Sequence, residues 1–319
     1  SPVTDGLFTG KKMTNCTTLP GFILQGFSVI PEVQTFSATI FLFIYVFSVL
    51  GNISIIIAVN LDSHLHTPMY FFLKHLSLID MCSTSTTLPR ALFAALAGSE
   101  VISLPGCAAQ LFVFVFCGAT ECFIITIMAY DRCLAIYQPL TYGATMTQQL
   151  CCTLVCVAWV CGLLFSSFHT ANTFTLSFCD PTVEHFFCDI PPLLRLACTD
   201  PQNHETAGFL VSGCVIMSCF ALTILSYIRI LVTVAHIRSA QGRQKALSTC
   251  SSHLITVVLF YGTGSSAYMR PANGFSPLQG RLAAIFYSIL TPTLNPIIYS
   301  MRNRDMKAAL RKLFCIHGP

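Results

Sequence analysis

Apolar residues in this chain gather into long stretches that carry no Asp, Glu, Lys or Arg. Such windows run over 33–61, 81–89, 101–120, 133–179, 206–228, 246–269 and 282–301. A helix needs about 20 apolar residues, at 1.5 Å each, to cross a bilayer. The window over 133–179 holds one span plus loops, and 81–89 joins the largely uncharged 70–79. Seven spans are predicted, at about 36–59, 68–91, 107–132, 149–170, 206–229, 246–269 and 282–301. Span three closes on Met128-Ala129-Tyr130-Asp131-Arg132, and Glu121 is the sole ionisable acid or base between Glu100 and Asp131. Placing Asp131 and Arg132 at the water boundary keeps their desolvation cost small.

Composition agrees with this reading. Of 319 residues, 54% are hydrophobic and 9% charged, against about 25% charged in an ordinary soluble domain. Mean hydropathy is +0.69. The expected fold is an all-α membrane protein, a seven-transmembrane helix bundle with a short amphipathic C-terminal helix. Its organisation is an N-terminus over 1–35, the bundle over 36–301 and a tail over 302–319.

An odd number of spans puts the termini on opposite sides, and basic residues set the orientation. Arg229, Arg238, Arg243 and Lys245 fall between spans five and six, and Arg302, Arg304, Lys307, Arg311 and Lys312 in the tail. The opposite loops hold Glu100, Asp180, Glu184, Asp189, Asp200 and Glu205. The expectation is a multi-pass plasma-membrane protein with its N-terminus extracellular and its C-terminus cytoplasmic. The net charge of +4 is then a topology signal, and no nucleic-acid partner is expected. Residues 1–31 lack an apolar core followed by small residues, so span one is expected to start translocation.

Of seventeen cysteines, Cys107, Cys179, Cys188 and Cys198 fall on the oxidising side. Four cysteines allow three pairings. Asn15-Cys16-Thr17 is a glycosylation sequon on that side, whereas Asn52-Ile53-Ser54 lies mid-membrane.

Ionisable groups inside a membrane are functional candidates. Asp80 and Glu121 lie at similar depth, about 15 Å from the inner face at 1.5 Å per residue. Two carboxylates there cannot both ionise without compensation, so one is protonated or a cation sits between them. Asn52 and Asn295 share that depth. Sodium suits such oxygen-rich surroundings, and a proton is its rival; no other cofactor is expected. Span seven carries Pro292 and Pro296, each removing a helix hydrogen bond. Over 302–314, Met306, Leu310, Leu313 and Phe314 form an apolar stripe on a basic helix, suited to anionic membrane lipid.

A ligand surface follows from helix arithmetic. Leu111, Phe114, Val115, Gly118 and Ala119 recur on one face of span three, about 6–18 Å below Cys107. Span five offers Val211, Ser212 and Val215; span six offers Tyr261, Gly264, Ser265 and Tyr268; span seven offers Ile285 and Ser288. This surface is apolar and aromatic with a few hydroxyls and no charge, Arg270 at the rim apart. It suits a small, neutral, volatile ligand.

Asn52, Asp80, Asp131-Arg132, Trp159 and Asn295-Pro296-Ile297-Ile298-Tyr299 together resemble a rhodopsin-like G-protein-coupled receptor. Within that group the chain resembles an odorant receptor. The narrower likeness rests on Leu65-His66-Thr67-Pro68-Met69-Tyr70-Phe71-Phe72-Leu73, the Met128–Arg132 motif, Ser248-Thr249-Cys250-Ser251-Ser252-His253-Leu254, residues 292–303 and Phe186-Phe187-Cys188-Asp189. It implies disulfides Cys107–Cys188 and Cys179–Cys198, and a cation site at Asp80 and Glu121. Arg132 would be the switch, held at rest by Asp131 and released toward Tyr227 and Tyr299; Tyr261 would be the toggle beneath the ligand. The implied activity is odorant-driven activation of a stimulatory, olfactory-type heterotrimeric G protein, raising cyclic AMP. One departure stands out: such receptors carry tyrosine after Asp-Arg and cysteine four residues on, and here Cys133 and Tyr137 are exchanged. His185-x-x-Cys188-Asp189 resembles a copper-assisted thiol-detection motif, but a disulfide-bonded Cys188 has no thiolate to offer.

The rival from another class is a transporter or channel using Asp80 and Glu121 as a relay. Inverted repeats are missing for it. An intramembrane enzyme would need a nucleophile–base pair, and His253 has no evident partner. A peptide-hormone receptor is the rival within the class, disfavoured by the uncharged surface.

Overall fold

A computed structural model describes residues 20–25, 31–97, 99–268 and 277–315. In chain order these form strand β1 (Gly21–Gln25), helices α1 (Pro31–Leu61) and α2 (Pro68–Ala97), strand β2 (Ser99–Ser103), and helices α3 (Leu104–Tyr137), α4 (Tyr142–Thr145) and α5 (Gln148–Phe174). Strand β3 (Thr182–Val183) and helices α6 (Ile190–Leu194), α7 (Gln202–His236), α8 (Ala240–Tyr268), α9 (Pro277–Ala284), α10 (Thr291–Arg302) and α11 (Arg304–Cys315) complete the chain. The seven spans are α1, α2, α3, α5, α7, α8 and the composite of α9 and α10. Among the described residues six helices are long and apolar enough to cross a membrane. Helix α2 is the more polar seventh because its buried face carries Ser77, Asp80, Ser83, Thr84 and Thr87. The protein is a multi-pass seven-helix bundle.

Helix α3 is the axis. Its window is 61% buried, against 11% for α7 and 22% for α1, so the outer helices offer lipid most of their surface. Ser103 caps its first turn by accepting from Gly106 N at 3.2 Å; Thr147 does the same for α5 through Leu150 N.

Span seven is the irregular one. A π-helical segment, Ile285–Leu290, joins α9 to α10, and such wide turns mark functional sites more often than chance. Pro296 lacks the N–H that would satisfy the Pro292 carbonyl four residues earlier. In hydrocarbon that carbonyl has no water to turn to. Asn52 of α1 supplies the missing donor, its Nδ2 lying 3.3 Å from Pro292 O and 3.0 Å from Ser48 O. Beside it, a Cβ on Gly51 would stand 3.1 Å from Pro296 Cβ, so the glycine lets the two helices approach.

The ligand end of the bundle is closed by more than a loop. Strand β1 is the middle of a three-stranded sheet, antiparallel to β2 in the register Gly21↔Ser103 and parallel to β3 at Ile23↔Thr182. A side chain on Gly21 would collide with the Ile102 carbonyl. Phe22 and Leu24 are fully buried with Ile102, Leu111, Val183 and Leu193. At the other end α11 turns away at Asn303, whose Oδ1 accepts from Asp305 N, Met306 N and the Tyr70 hydroxyl, the last at 2.8 Å. Met306 and Ala309 are buried, and Lys312 pairs with Asp62 at 3.0 Å. That pair and the Asp62 cap on His64 hold the Asp62 carboxyl below its usual range.

Asn52→Ala should leave the Pro292 carbonyl without a donor in hydrocarbon and lower stability by about 1–3 kcal/mol. Thermal unfolding of purified protein in detergent measures it; an unchanged midpoint would remove Asn52 from this role.

Candidate functional site

Disulfides Cys107–Cys188 and Cys179–Cys198 are both formed. The first pins the loop between α5 and α7 to the top of α3. Gln110 reinforces it: its Oε1 accepts from Cys188 N at 3.0 Å while its Nε2 donates to Thr86 O at 2.9 Å. The loop then dips into the bundle. Phe186 and Phe187 are fully buried; Phe187 meets Phe114 at 4.9 Å between ring centroids, and Phe114 meets Tyr287 at 5.8 Å. Tyr287 donates to the Asp189 carboxylate, whose other oxygen accepts from Ile190 N at 2.8 Å and caps α6. Arg281 ties span seven to the lid through Glu184 O (3.0 Å) and Gln25 Oε1 (3.2 Å).

The expected ligand residues divide by level. Leu111 and Val115 pack under the sheet, and Phe114 and Ile285 under Phe186 and Phe187. Deeper, a Cβ placed on Gly118 or Gly264 would meet nothing within 4 Å. Each of these two glycines therefore has open space beside it. Ala119 is buried, Val211 and Val215 are half-buried and Ser265 is exposed. Ser212 Oγ lies 3.0 Å from His169 Nε2 on α5, and Ser288 donates to Ala284 O within its own helix at 2.6 Å. Tyr261 sits at the floor, its hydroxyl 3.5 Å from Cys122 Sγ and its ring 5.0 Å from Phe220. Asn15, Arg270 and the side chain of Tyr268 lie outside the described residues.

Midway down, Asn295 Nδ2 donates to Asp80 Oδ2 at 2.8 Å and the same side chain reaches Glu121. Thr256 Oγ1 lies 3.4 Å from Asn295 Oδ1. Asp80 Oδ1, Glu121 Oε1, Asn52 Oδ1 and Ser48 Oγ are buried oxygens without a hydrogen-bond partner. Spans one, two, three, six and seven thus meet in one oxygen-rich seam.

At the basic end the expected Asp131–Arg132 ion pair does not form. Successive helix residues diverge by about 100°, so the two side chains face apart. Asp131 Oδ1 accepts from the Tyr142 hydroxyl of α4 at 2.7 Å. Arg132, 6% exposed, points into the bundle within electrostatic reach of Tyr70, Tyr227, His253 and Tyr299. Tyr227 is not joined to Arg132; its hydroxyl meets His253 Nδ1 at 2.7 Å, and His253 Nε2 meets Ile125 O at 3.0 Å. His253, without an evident partner in the sequence, joins spans three, five and six. The exchanged Tyr137 lies under Arg229 of α7, the guanidinium carbon 4.2 Å from the ring centre.

Residues 41–317 match the olfactory receptor family. The chain belongs to that family. It is 44% identical to human olfactory receptor 9G4 over 93% of this chain and 91% of that one. To mouse olfactory receptor 5B21 it is also 44% identical, over 94% of this chain and 95% of that one. Squid rhodopsin superposes with a TM-score of 0.69 at 16% identity, over 90% of this chain and 87% of the other, which supports the seven-helix fold alone. This is a G-protein-coupled odorant receptor and not an enzyme.

Several parts of the receptor's site were hidden from sequence reasoning. Gln110 and His169 are single polar residues in apolar runs, and their spacing carries no sign of their partners. Strand β1 does show alternation, Phe22 and Leu24 inward against Ile23 and Gln25. Its five residues are too few to stand out without β2 and β3.

His185 of the lid is 3% exposed, its ring 4.6 Å from Phe186 and 4.7 Å from Phe187. Burial pushes its imidazole down from 6.5 to about 3, against the opposing bond to the Phe187 carbonyl and with Arg281 adding to the fall. The folded value lies below the unfolded one, so the unfolded chain takes the proton first. The lid's stability is fully present above about pH 6.5 and is lost as pH falls toward 3. His185→Phe, which keeps the aromatic packing, should flatten that loss. Unfolding midpoints between pH 7 and pH 4 compare the two, and parallel profiles would exonerate His185.

Proposed function

We propose that this receptor takes small, neutral, volatile odorants in the lid end of the bundle and activates a stimulatory, olfactory-type heterotrimeric G protein, raising cyclic AMP. One observation carries the reading: the α3 face from Leu111 to Ala119 is uncharged, with open space at Gly118 and across at Gly264. An ionic odorant would need a buried counter-charge, and this surface offers dispersion, aromatic faces and hydroxyls instead. The distribution of arginine and lysine supports an extracellular N-terminus and a cytoplasmic C-terminus. Near the basic end Gln244, Leu247, Ser248 and Ser251 of α8 line an open cleft. Outward movement of α8 would release His253 from Tyr227 and Ile125 and widen that cleft beside Arg132 for the C-terminal helix of the G protein. The basic face of α11 suits anionic lipid at the same leaflet.

A cyclic AMP reporter in transfected cells, screened against a panel of neutral volatiles, tests both ends. Gly118→Phe should raise the half-maximal concentration of an active odorant by about ten- to hundredfold, the cost of overpacking a filled site. Arg132→Ala should abolish the response with surface labelling retained. Wild-type responses in both variants would reject this reading.

The oxygen-rich seam supports a sodium ion held by Asp80 and Glu121, since hard cations favour oxygen ligands. The cation would offset the repulsion between the two carboxylates and brace spans two, three and seven in the resting arrangement. Copper is not part of this proposal, since a disulfide-bonded Cys188 has no thiolate to offer. Raising sodium should weaken odorant potency in the wild type and leave Glu121→Gln unmoved; equal sodium dependence in both would discard the site.

A further inference from the structure

Beneath Tyr261 two free thiols from different spans face one another. Cys122 of α3 is 3% exposed and Cys219 of α7 is 5% exposed. Their side chains interact directly. The backbones are held close by one hydroxyl: Thr126 Oγ1 donates to Cys122 O at 2.9 Å and lies 3.5 Å from Cys219 O. Thr223 Oγ1 stands 3.5 Å from Thr126 Oγ1 and extends the contact down the same seam. Above, Cys122 Sγ contacts the Tyr261 hydroxyl, and Phe220, next in sequence to Cys219, packs on the Tyr261 ring. The cysteine contact thus joins the two helices directly under the floor of the odorant site.

We propose that Cys122 and Cys219 are a dithiol modification site, oxidised by a hydroperoxide to a disulfide that ties span three to span five and takes the sulfur partner away from Tyr261. Cys219 is the slightly less enclosed thiol, 5% exposed against 3%, so an apolar hydroperoxide entering between α3 and α7 reaches it first. Its sulfur attacks the peroxide, the O–O bond breaks, and a sulfenic acid forms with loss of an alcohol, or of water when the oxidant is hydrogen peroxide. The Cys122 sulfur then attacks the sulfenic sulfur. An S–S bond forms, the S–O bond breaks, and hydroxide leaves with the Cys122 proton as water. Two thiols have lost two electrons and two protons to one hydroperoxide. The new bond removes the freedom of α3 and α7 to shift against each other, and Tyr261 loses the neighbour that positions its hydroxyl.

The test treats full-length receptor in membranes with cumene hydroperoxide or with hydrogen peroxide, then maps peptides by mass spectrometry under non-reducing conditions. A Cys122–Cys219 linkage is expected, and its formation by cumene hydroperoxide at lower dose would identify the lipid side as the source. Oxidation of the exposed Cys82, Cys152, Cys156 and Cys214 with the 122–219 linkage absent would overturn the proposal. This readout needs no ligand, so it stands apart from the odorant reading on which only the functional arm rests. In that arm, hydroperoxide should suppress the odorant-evoked cyclic AMP response of the wild type and spare Cys219→Ser. Equal suppression in both would show that the disulfide does not control signalling, and should the variant not reach the surface, the wild-type peptide map decides.

Discussion

A bilayer offers its interior no water, and every polar atom placed there must find a partner within the protein. The seam through the middle of this receptor is built around that constraint. Pro296 strips span seven of one backbone donor, and Asn52 restores it from span one. Asn295 holds Asp80 and reaches Glu121, so one amide joins carboxylates from two further helices. These are not decorations on a finished bundle. Removing the donor or the acceptor leaves its partner bare in hydrocarbon, so the helices carrying them are held in one register.

The same constraint explains why the ends differ. At the lid end water is at hand, and closure is achieved with disulfides, a small sheet and the buried rings of Phe22, Phe186 and Phe187. Those devices fix geometry and leave little to move. At the basic end several contacts around Arg132 are single hydrogen bonds, Tyr227 to His253 and Tyr70 to Asn303 among them. Each is worth about 0.5–1.5 kcal/mol net, small enough for binding energy gathered elsewhere to break. A rigid reader of small molecules and a loosely latched output surface therefore share one chain.

The helices were legible because hydrocarbon demands long uncharged runs, and such runs survive without knowledge of any partner. Their lengths were read short, since α3 and α7 continue as helix beyond the apolar stretch, to Tyr137 and His236, where water satisfies their side chains. Side-chain partners were legible only where chemistry left few choices. Asp80 and Glu121 could be placed at one depth by counting turns, and Asn295 joins them there. Asp131 and Arg132 were misjudged because adjacency in sequence is separation around a helix. His253 and Tyr227 stand 26 residues apart on different helices, and no periodicity links them. The sheet was invisible for a related reason: β1 pairs with strands about 80 and 160 positions away, and all three strands are five residues or fewer.

The exchange of Cys133 and Tyr137 shows how a departure from the family pattern is absorbed. Position 133, directly after Arg132, faces Arg229 of span five. Four residues on, about one turn farther at 3.6 residues per turn, the ring of Tyr137 is 42% exposed and lies under the Arg229 guanidinium. A cation over an aromatic face at an exposed site is worth about 0.5–1 kcal/mol, comparable to one of the hydrogen bonds that latch this end. The aromatic is therefore not lost but moved one turn along the seam between spans three and five. The consequence falls on span five, whose inner end is now held to span three by Tyr137 and Arg229 at the rim and by Thr126 and Thr223 within. Span six is joined to this region by His253 and by the Ser252–Ile298 bond. The outward movement of span six proposed above would have these hydrogen bonds to break.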